Sequence, residues 1–69
     1  MDYVELNAFV KKYTQYKTGG QAKQLIRSGV VTVNGVVETA NRKTLVEGDR
    51  VCVRQQQFIV QKKDCQMKK

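Results

Sequence analysis

Histidine, proline and tryptophan are absent from this chain, and each absence removes a class of explanation. Without histidine there is no side chain whose ordinary pKa lies near neutrality. The commonest general base, and the usual activating partner of a cysteine nucleophile, are both missing. The six carboxylates are scattered; only Glu47 and Asp49 stand close together, and they suit a turn. Zinc needs about four nitrogen or sulfur ligands, which two cysteines without histidine do not supply. No metal, no cofactor, no small-molecule substrate and no catalysis are therefore expected. The pair Gly19-Gly20 lacks the G-x-x-x-x-G-K-[ST] spacing of a phosphate-binding loop. No apolar run approaches the roughly 20 residues of a spanning helix. Met1 leads straight into Asp2 and Glu5, without the basic and apolar regions of a leader, so the expected location is the cytoplasm. In that setting Cys52 and Cys65 are expected as reduced thiols.

What the chain does have is positive charge. Thirteen Lys and Arg stand against six Asp and Glu, a net charge of +7 on 69 residues. A chain of this size buries only about 60% of its unfolded surface, which leaves room for one domain, a thin core and one simple site. So large an excess on so small a surface points to a polyanionic partner, nucleic acid first and an anionic membrane second. A soluble domain that happens to be basic is the plainer alternative.

With proline missing, glycine divides the chain. Leu6, Phe9, Val10 and Tyr13 follow the i, i+3, i+4, i+7 spacing of an amphipathic helix, with Lys11 and Lys12 outside. Tyr3 and Val4 suit a short strand before it. Thr18 followed by Gln21 matches a capping box, so a second helix is expected to start at Gly19, bury Ala22, Leu25 and Ile26, and end at Gly29. From Val30 the period becomes two: "VVTV", then Asn34-Gly35, then "VVE" is a hairpin signal. "EGD" makes a further turn, and "RVCVR" alternates with Val51 and Val53 inward and Arg50, Cys52 and Arg54 outward. "FIV", Phe58 to Val60, closes as a last strand. "KKDCQMKK", Lys62 to Lys69, has no periodicity and is expected to be a basic flexible tail, giving a domain over 1–61 and a tail over 62–69.

At about 100° per residue, Lys23 and Arg27 fall beside each other with Gly20 on the same side. Unpaired N–H groups of a first turn, the positive end of a helix dipole and nearby cations together make a phosphate site. Lys17, just ahead of the cap, could add to it. The plainer reading is that Gly19 and Gly20 relieve crowding between two helices and the cations are a solvated face. A second cluster, Arg42 and Lys43, follows the hairpin, and Arg50 and Arg54 are expected on one strand face. If that loop folds toward the second helix, the combined patch tracks a phosphate backbone. Phe9, Tyr13 and Phe58 suit the core, leaving Tyr3 and Tyr16 as the exposed rings. That is too few for a base-stacking platform, so backbone and shape readout of structured RNA fits better.

"AKQLIRSGVVTVNG", a basic loop and "LVEGDRV" in this order resemble the S-four RNA-binding domain over about Leu6 to Val60. The pattern looks like that of the small stand-alone bacterial members of the family. The resemblance implies an α+β fold, two short N-terminal helices packed on a small twisted, mainly antiparallel sheet. It also implies binding of structured RNA, ribosomal or transfer, through the start of the second helix and the adjoining loop. On this chain the matching positions are Lys23, Arg42 and Lys43, with Arg27 as a neighbour; Gly19 and Gly20 form the helix start, and Lys17 and Lys12 join from location only. The family pattern begins the second helix with Ser-Arg, where this chain has Thr18-Gly19, and often carries a proline after the hairpin, which this chain lacks. The expected function is a monomeric, non-catalytic RNA-binding protein, associated with the ribosome or its assembly. Two alternatives stay open: an adaptor for an acidic protein, and an RNA-targeting subunit for a separate RNA-modifying enzyme. The tail has little apolar content beyond Met67, so membrane binding is not expected.

Overall fold

The structure, a computed structural model, describes residues 2–14 and 19–68. It is an α+β fold of two short helices on antiparallel sheet. In chain order the elements are strand β1 (Asp2–Glu5), helix α1 (Leu6–Tyr13), helix α2 (Gly19–Arg27), strands β2 (Val31–Val33), β3 (Val36–Val37), β4 (Thr44–Leu45), β5 (Arg50–Val53) and β6 (Gln56–Ile59), a single 3-10 turn (Lys62–Asp64) and strand β7 (Met67–Lys68). The larger sheet runs β3-β2-β5-β6 and the smaller β4-β1-β7, every pairing antiparallel.

Helix α1 buries Leu6, Phe9 and Val10 and carries Lys11 and Lys12 in its last turn, where positive charge suits the dipole. Its first N–H groups are satisfied by a distant loop: Leu6 N donates to the Lys43 carbonyl and Asn7 N to that of Asn41, both at 2.9 Å. Helix α2 buries Ala22, Leu25 and Ile26. It stops where Gly29 adopts φ +85°, outside the range comfortable for a side chain, and donates its N–H to the Ile26 carbonyl at 3.3 Å.

The β2–β3 hairpin closes through Asn34 (φ 53°) and Gly35 (φ 85°), the two positive angles that a type I′ turn needs. Asn34 is also a clamp on β5. Its N–H donates to the Arg50 carbonyl at 2.7 Å, and its side-chain oxygen accepts from Arg50 N at 2.9 Å. Pairing of β2 with β5 sets Val31 opposite Val53 and Val33 opposite Val51, so four valines face the helices from one side of the sheet. Against them pack the two helix stripes with Val4, Leu45, Val60 and Cys65. Phe9, Tyr13 and Phe58 form an aromatic cluster with centroid separations of 4.7 to 6.4 Å. Cys52 and Cys65 are both free thiols, Cys65 buried.

Two expectations from the sequence need correction. The strand expected at Phe58–Val60 begins earlier, at Gln56, because Val53 pairs with Gln56 across a two-residue turn. As an edge strand, β6 tolerates polar residues that hide it from hydrophobic patterning. The segment from Lys62, expected as a flexible tail, folds back: β7 pairs with β1, setting Tyr3 opposite Met67. A two-residue strand and a single 3-10 turn are too short to show a period.

Asp64 fastens that segment. It is 97% removed from solvent, with a relative exposure of 3%, and its Oδ1 accepts from Lys12 Nζ and from the Tyr13 hydroxyl, both at 2.8 Å. Its Oδ2 accepts from Gln61 N at 3.0 Å. Burial alone would push this carboxyl up, but the hydrogen bonds from Lys12, Gln61 and Tyr13 and the Lys12 charge outweigh it and hold the carboxyl below the ordinary aspartate range. The same bond to Asp64 raises the Lys12 ammonium and the Tyr13 hydroxyl, since either would lose its donated proton. With the folded value depressed, the stabilisation is complete above the unfolded value of about 3.9 and drains away as pH falls through the folded one. Asp64→Ala is expected to cost about 1–3 kcal/mol at neutral pH, since Lys12 is half-exposed and recovers hydration while Tyr13 loses its acceptor. Urea denaturation across pH checks this: wild type loses stability on acidification below about pH 4, and the variant loses less. Identical acid profiles would remove Asp64 from the account.

Candidate nucleic-acid interface

Burial of Ala22, Leu25 and Ile26 fixes the roll of α2 and decides what the helix shows to solvent. Gly20, Lys23, Gln24 and Arg27 are all exposed. Lys23 and Arg27, one turn apart, form the cationic flank, and Gly20 stands at its start without a side chain. The nine residues of α2 include no acid. Among the described residues neither Lys23 nor Arg27 takes part in an ion pair. Their charge is therefore uncompensated among the described residues, on a helix whose positive end opens at Gly19-Gly20. The expected Thr18 cap and the Lys17 candidate lie outside the described residues.

The loop bearing Arg42 and Lys43 is held at the beginning of α1, through the carbonyls of Asn41 and Lys43 described above. Arg42 Nε also meets Glu5 Oε2 at 3.2 Å on an open surface, the guanidinium side chain 83% exposed. Glu5 ends β1 and leads into α1, so the loop's bonds run to β1 and α1 rather than to α2. Arg42 is partly neutralised where it stands. Lys43 is exposed and takes part in no ion pair among the described residues. Lys12 is paired with Asp64 at 2.8 Å and stays about half-exposed.

Arg50 lies on β5 beside the Asn34 turn. Arg54 does not continue that strand face. It occupies the first position of the β5–β6 turn at φ 57°, a left-handed conformation that side chains seldom adopt. Two bonds pin it there: its N–H donates to the Val30 carbonyl at 3.1 Å, and the Cys52 thiol donates to its carbonyl at 3.4 Å. Patterning could not show this, because alternation around Val51 and Val53 continues unbroken through Arg54. Beside it, Leu25 and Val53 floor a hollow of about 470 Å³ rimmed by Thr14, Arg54, Gln55 and Gln56. A second hollow, along Gln24 and Ser28, adjoins it at Leu25 and Arg54. No single-residue signal in the sequence announces this groove.

These features, two helices on an antiparallel sheet with an uncompensated cationic flank on the second helix, belong to a known class. The family model described as the S4 domain matches residues 1–61. The chain therefore belongs to the S4 domain family, a class of RNA-binding module. A solved structure, the crystal structure of a pseudouridylate synthase, aligns over 74% of this chain with a TM-score of 0.70 and 22% identity. That alignment takes up 22% of the enzyme's chain, so this protein spans about a fifth of its length, and the likeness is one of fold. Comparison with curated proteins returns no match. No helix among the described residues is long and apolar enough to cross a membrane.

The strained turn makes a direct prediction. Glycine relieves the left-handed strain at position 54 but loses more chain entropy on folding, so Arg54→Gly is expected to stay within about 1 kcal/mol of wild type. Arg54→Val, β-branched and ill suited to positive φ, should lose about 1–2 kcal/mol. Chemical denaturation of the two variants checks the order; valine matching or exceeding glycine would contradict the assigned backbone.

Proposed function

We propose that this protein is a non-catalytic RNA-binding protein that recognises structured RNA, ribosomal RNA first, and acts on the ribosome or its precursors as a monomer in the cytoplasm. The single observation that carries the reading is the exposed α2 flank, where among the described residues Lys23 and Arg27 stand without acidic partners, on a member of an RNA-binding family. Phosphate neutralisation supplies the affinity and makes it salt-dependent. Helix placement against a phosphate backbone supplies selectivity for shape. Within this reading Lys23, Arg27, Lys43 and the Gly19-Gly20 backbone contact phosphates, Lys17 flanks them, and Arg42 joins by exchanging Glu5 for phosphate.

A second reading has its own support. The same fold occurs as about a fifth of a pseudouridylate synthase chain, so this chain could serve as the RNA-targeting part of a modifying system whose catalytic part is a separate protein. The two readings share the RNA contact and differ in what travels with it. Docking of an acidic protein on the basic face is the remaining alternative.

Lys23→Ala with Arg27→Ala is expected to weaken binding to a structured ribosomal RNA fragment by about tenfold or more, and to reduce the slope of log K against log salt by about one to two. Lys62→Ala with Lys63→Ala removes the same charge elsewhere and should do markedly less. Filter binding over a range of salt concentrations reads both quantities, and equal losses from the two pairs would remove α2 as the site. Crosslinking in cells, followed by sequencing of bound RNA, identifies the target. Enrichment of ribosomal RNA supports the first reading, and an unenriched library contradicts it.

A further inference from the structure

We propose that the groove between α2 and the β5–β6 turn holds one unpaired, splayed-out nucleotide of the RNA that lies along α2. The inference rests on the RNA-binding reading above and assigns it a second contact, made to a base rather than to the phosphate backbone.

Three observations converge on the groove. Its floor is apolar and firm, formed by Leu25 and Val53, both buried core residues at 7% and 5% exposure. A flat base lies well on such a floor. Part of its rim is polar and open to a ligand: the Thr14 and Ser28 hydroxyls are taken up by the Val10 and Leu25 carbonyls, but among the described residues the side-chain amides of Gln24, Gln55 and Gln56 make no hydrogen bond to the protein. Carboxamides both donate and accept, as the exposed edge of an unpaired base requires. Among the described residues the groove's lining also has a cation and no acid. Arg54 borders both hollows, is in no ion pair among the described residues, and is held by its backbone in a conformation that arginine disfavours. A guanidinium there can meet the phosphate of the splayed nucleotide or stack on its base.

Helix geometry joins this groove to the cationic flank. Gln24 lies one turn from Gly20, from Arg27 and from Ser28, so the exposed face of α2 runs without interruption from Lys23 across to the hollow beside Arg54. The larger hollow, about 470 Å³, falls within the range of small-ligand sites. An RNA whose phosphates follow the cationic flank passes the mouth of the groove, and a bulged or looped-out nucleotide can enter where a fully paired stem cannot.

Two RNA hairpins test this, one with a continuous stem and one identical but for a single unpaired uridine. Wild type is expected to bind the bulged hairpin more tightly. Arg54→Gly, a substitution that the positive φ favours, should weaken the bulged complex by about tenfold and weaken the continuous stem no more than Lys62→Ala does. In NMR spectra the side-chain amide signals of Gln55 and Gln56 should shift with the bulged RNA and stay in place with the continuous one. If Arg54→Gly leaves bulged-hairpin affinity unchanged while Lys23→Ala with Arg27→Ala lowers affinity for both RNAs, the groove assignment is wrong and the RNA-binding reading stands. If wild type binds neither hairpin, both fall. Glutamine signals that respond to a glutamate-rich peptide but not to the bulged hairpin would instead assign the groove to a protein partner and overturn the proposal.

Discussion

Ala22, Leu25 and Ile26 are buried in one core that they share with the α1 stripe and with Val31, Val33, Val51 and Val53, and their burial there sets the roll of α2. Once that roll is set, the helix has no freedom over what it exposes. Lys23 and Arg27 fall on one flank, and Gln24 and Ser28 on the other. In so small a chain the core is thin, so Lys23, Gln24 and Arg27, all exposed, face water or a partner. A change that turned the helix by one residue would bury a cation and expose a core side chain together. The apolar stripe thus decides what α2 shows to solvent as firmly as it specifies the fold.

The remaining elements hold the sheet under that helix in register. Asn34 links the first hairpin to β5 through two hydrogen bonds, so the valines of β2 and β5 meet as inward pairs rather than slipping by one and turning outward. The loop from Asn41 to Lys43 supplies acceptors to the first turn of α1 in place of a side-chain cap. Asp64 ties the last segment to the end of α1 through Lys12 and Tyr13. That segment begins at Lys62, immediately beyond residues 1–61, where the family match ends.

Much of the fold is legible in the sequence, and the reasons are local. The 3.6-residue spacing from Leu6 to Tyr13, the glycine after α2 and the Asn-Gly pair each state a conformation within a few residues. The exposed flank of α2 is legible for the same reason, since a helical wheel needs no tertiary information. What escapes is whatever depends on partners far apart in the chain. Lys12 reads as a surface cation until Asp64, 52 positions later, claims it. Arg54 reads as the end of a strand because the turn that bends it is set by the register of β5 with β6. The anchoring of the loop bearing Arg42 and Lys43 escapes for the same reason, since the carbonyls that hold it pair with the start of α1, which no periodicity reports.

The central claim is that the outward face of α2 is the surface that meets RNA. Backbone amide shifts of the isotopically labelled protein, recorded while a structured RNA is added, test it most directly. The account predicts that the largest perturbations fall on Gly20, Lys23, Gln24 and Arg27, with the outer sheet residues Thr32, Cys52 and Gln57 little changed. Perturbations concentrated on those sheet residues, with α2 silent, would contradict it.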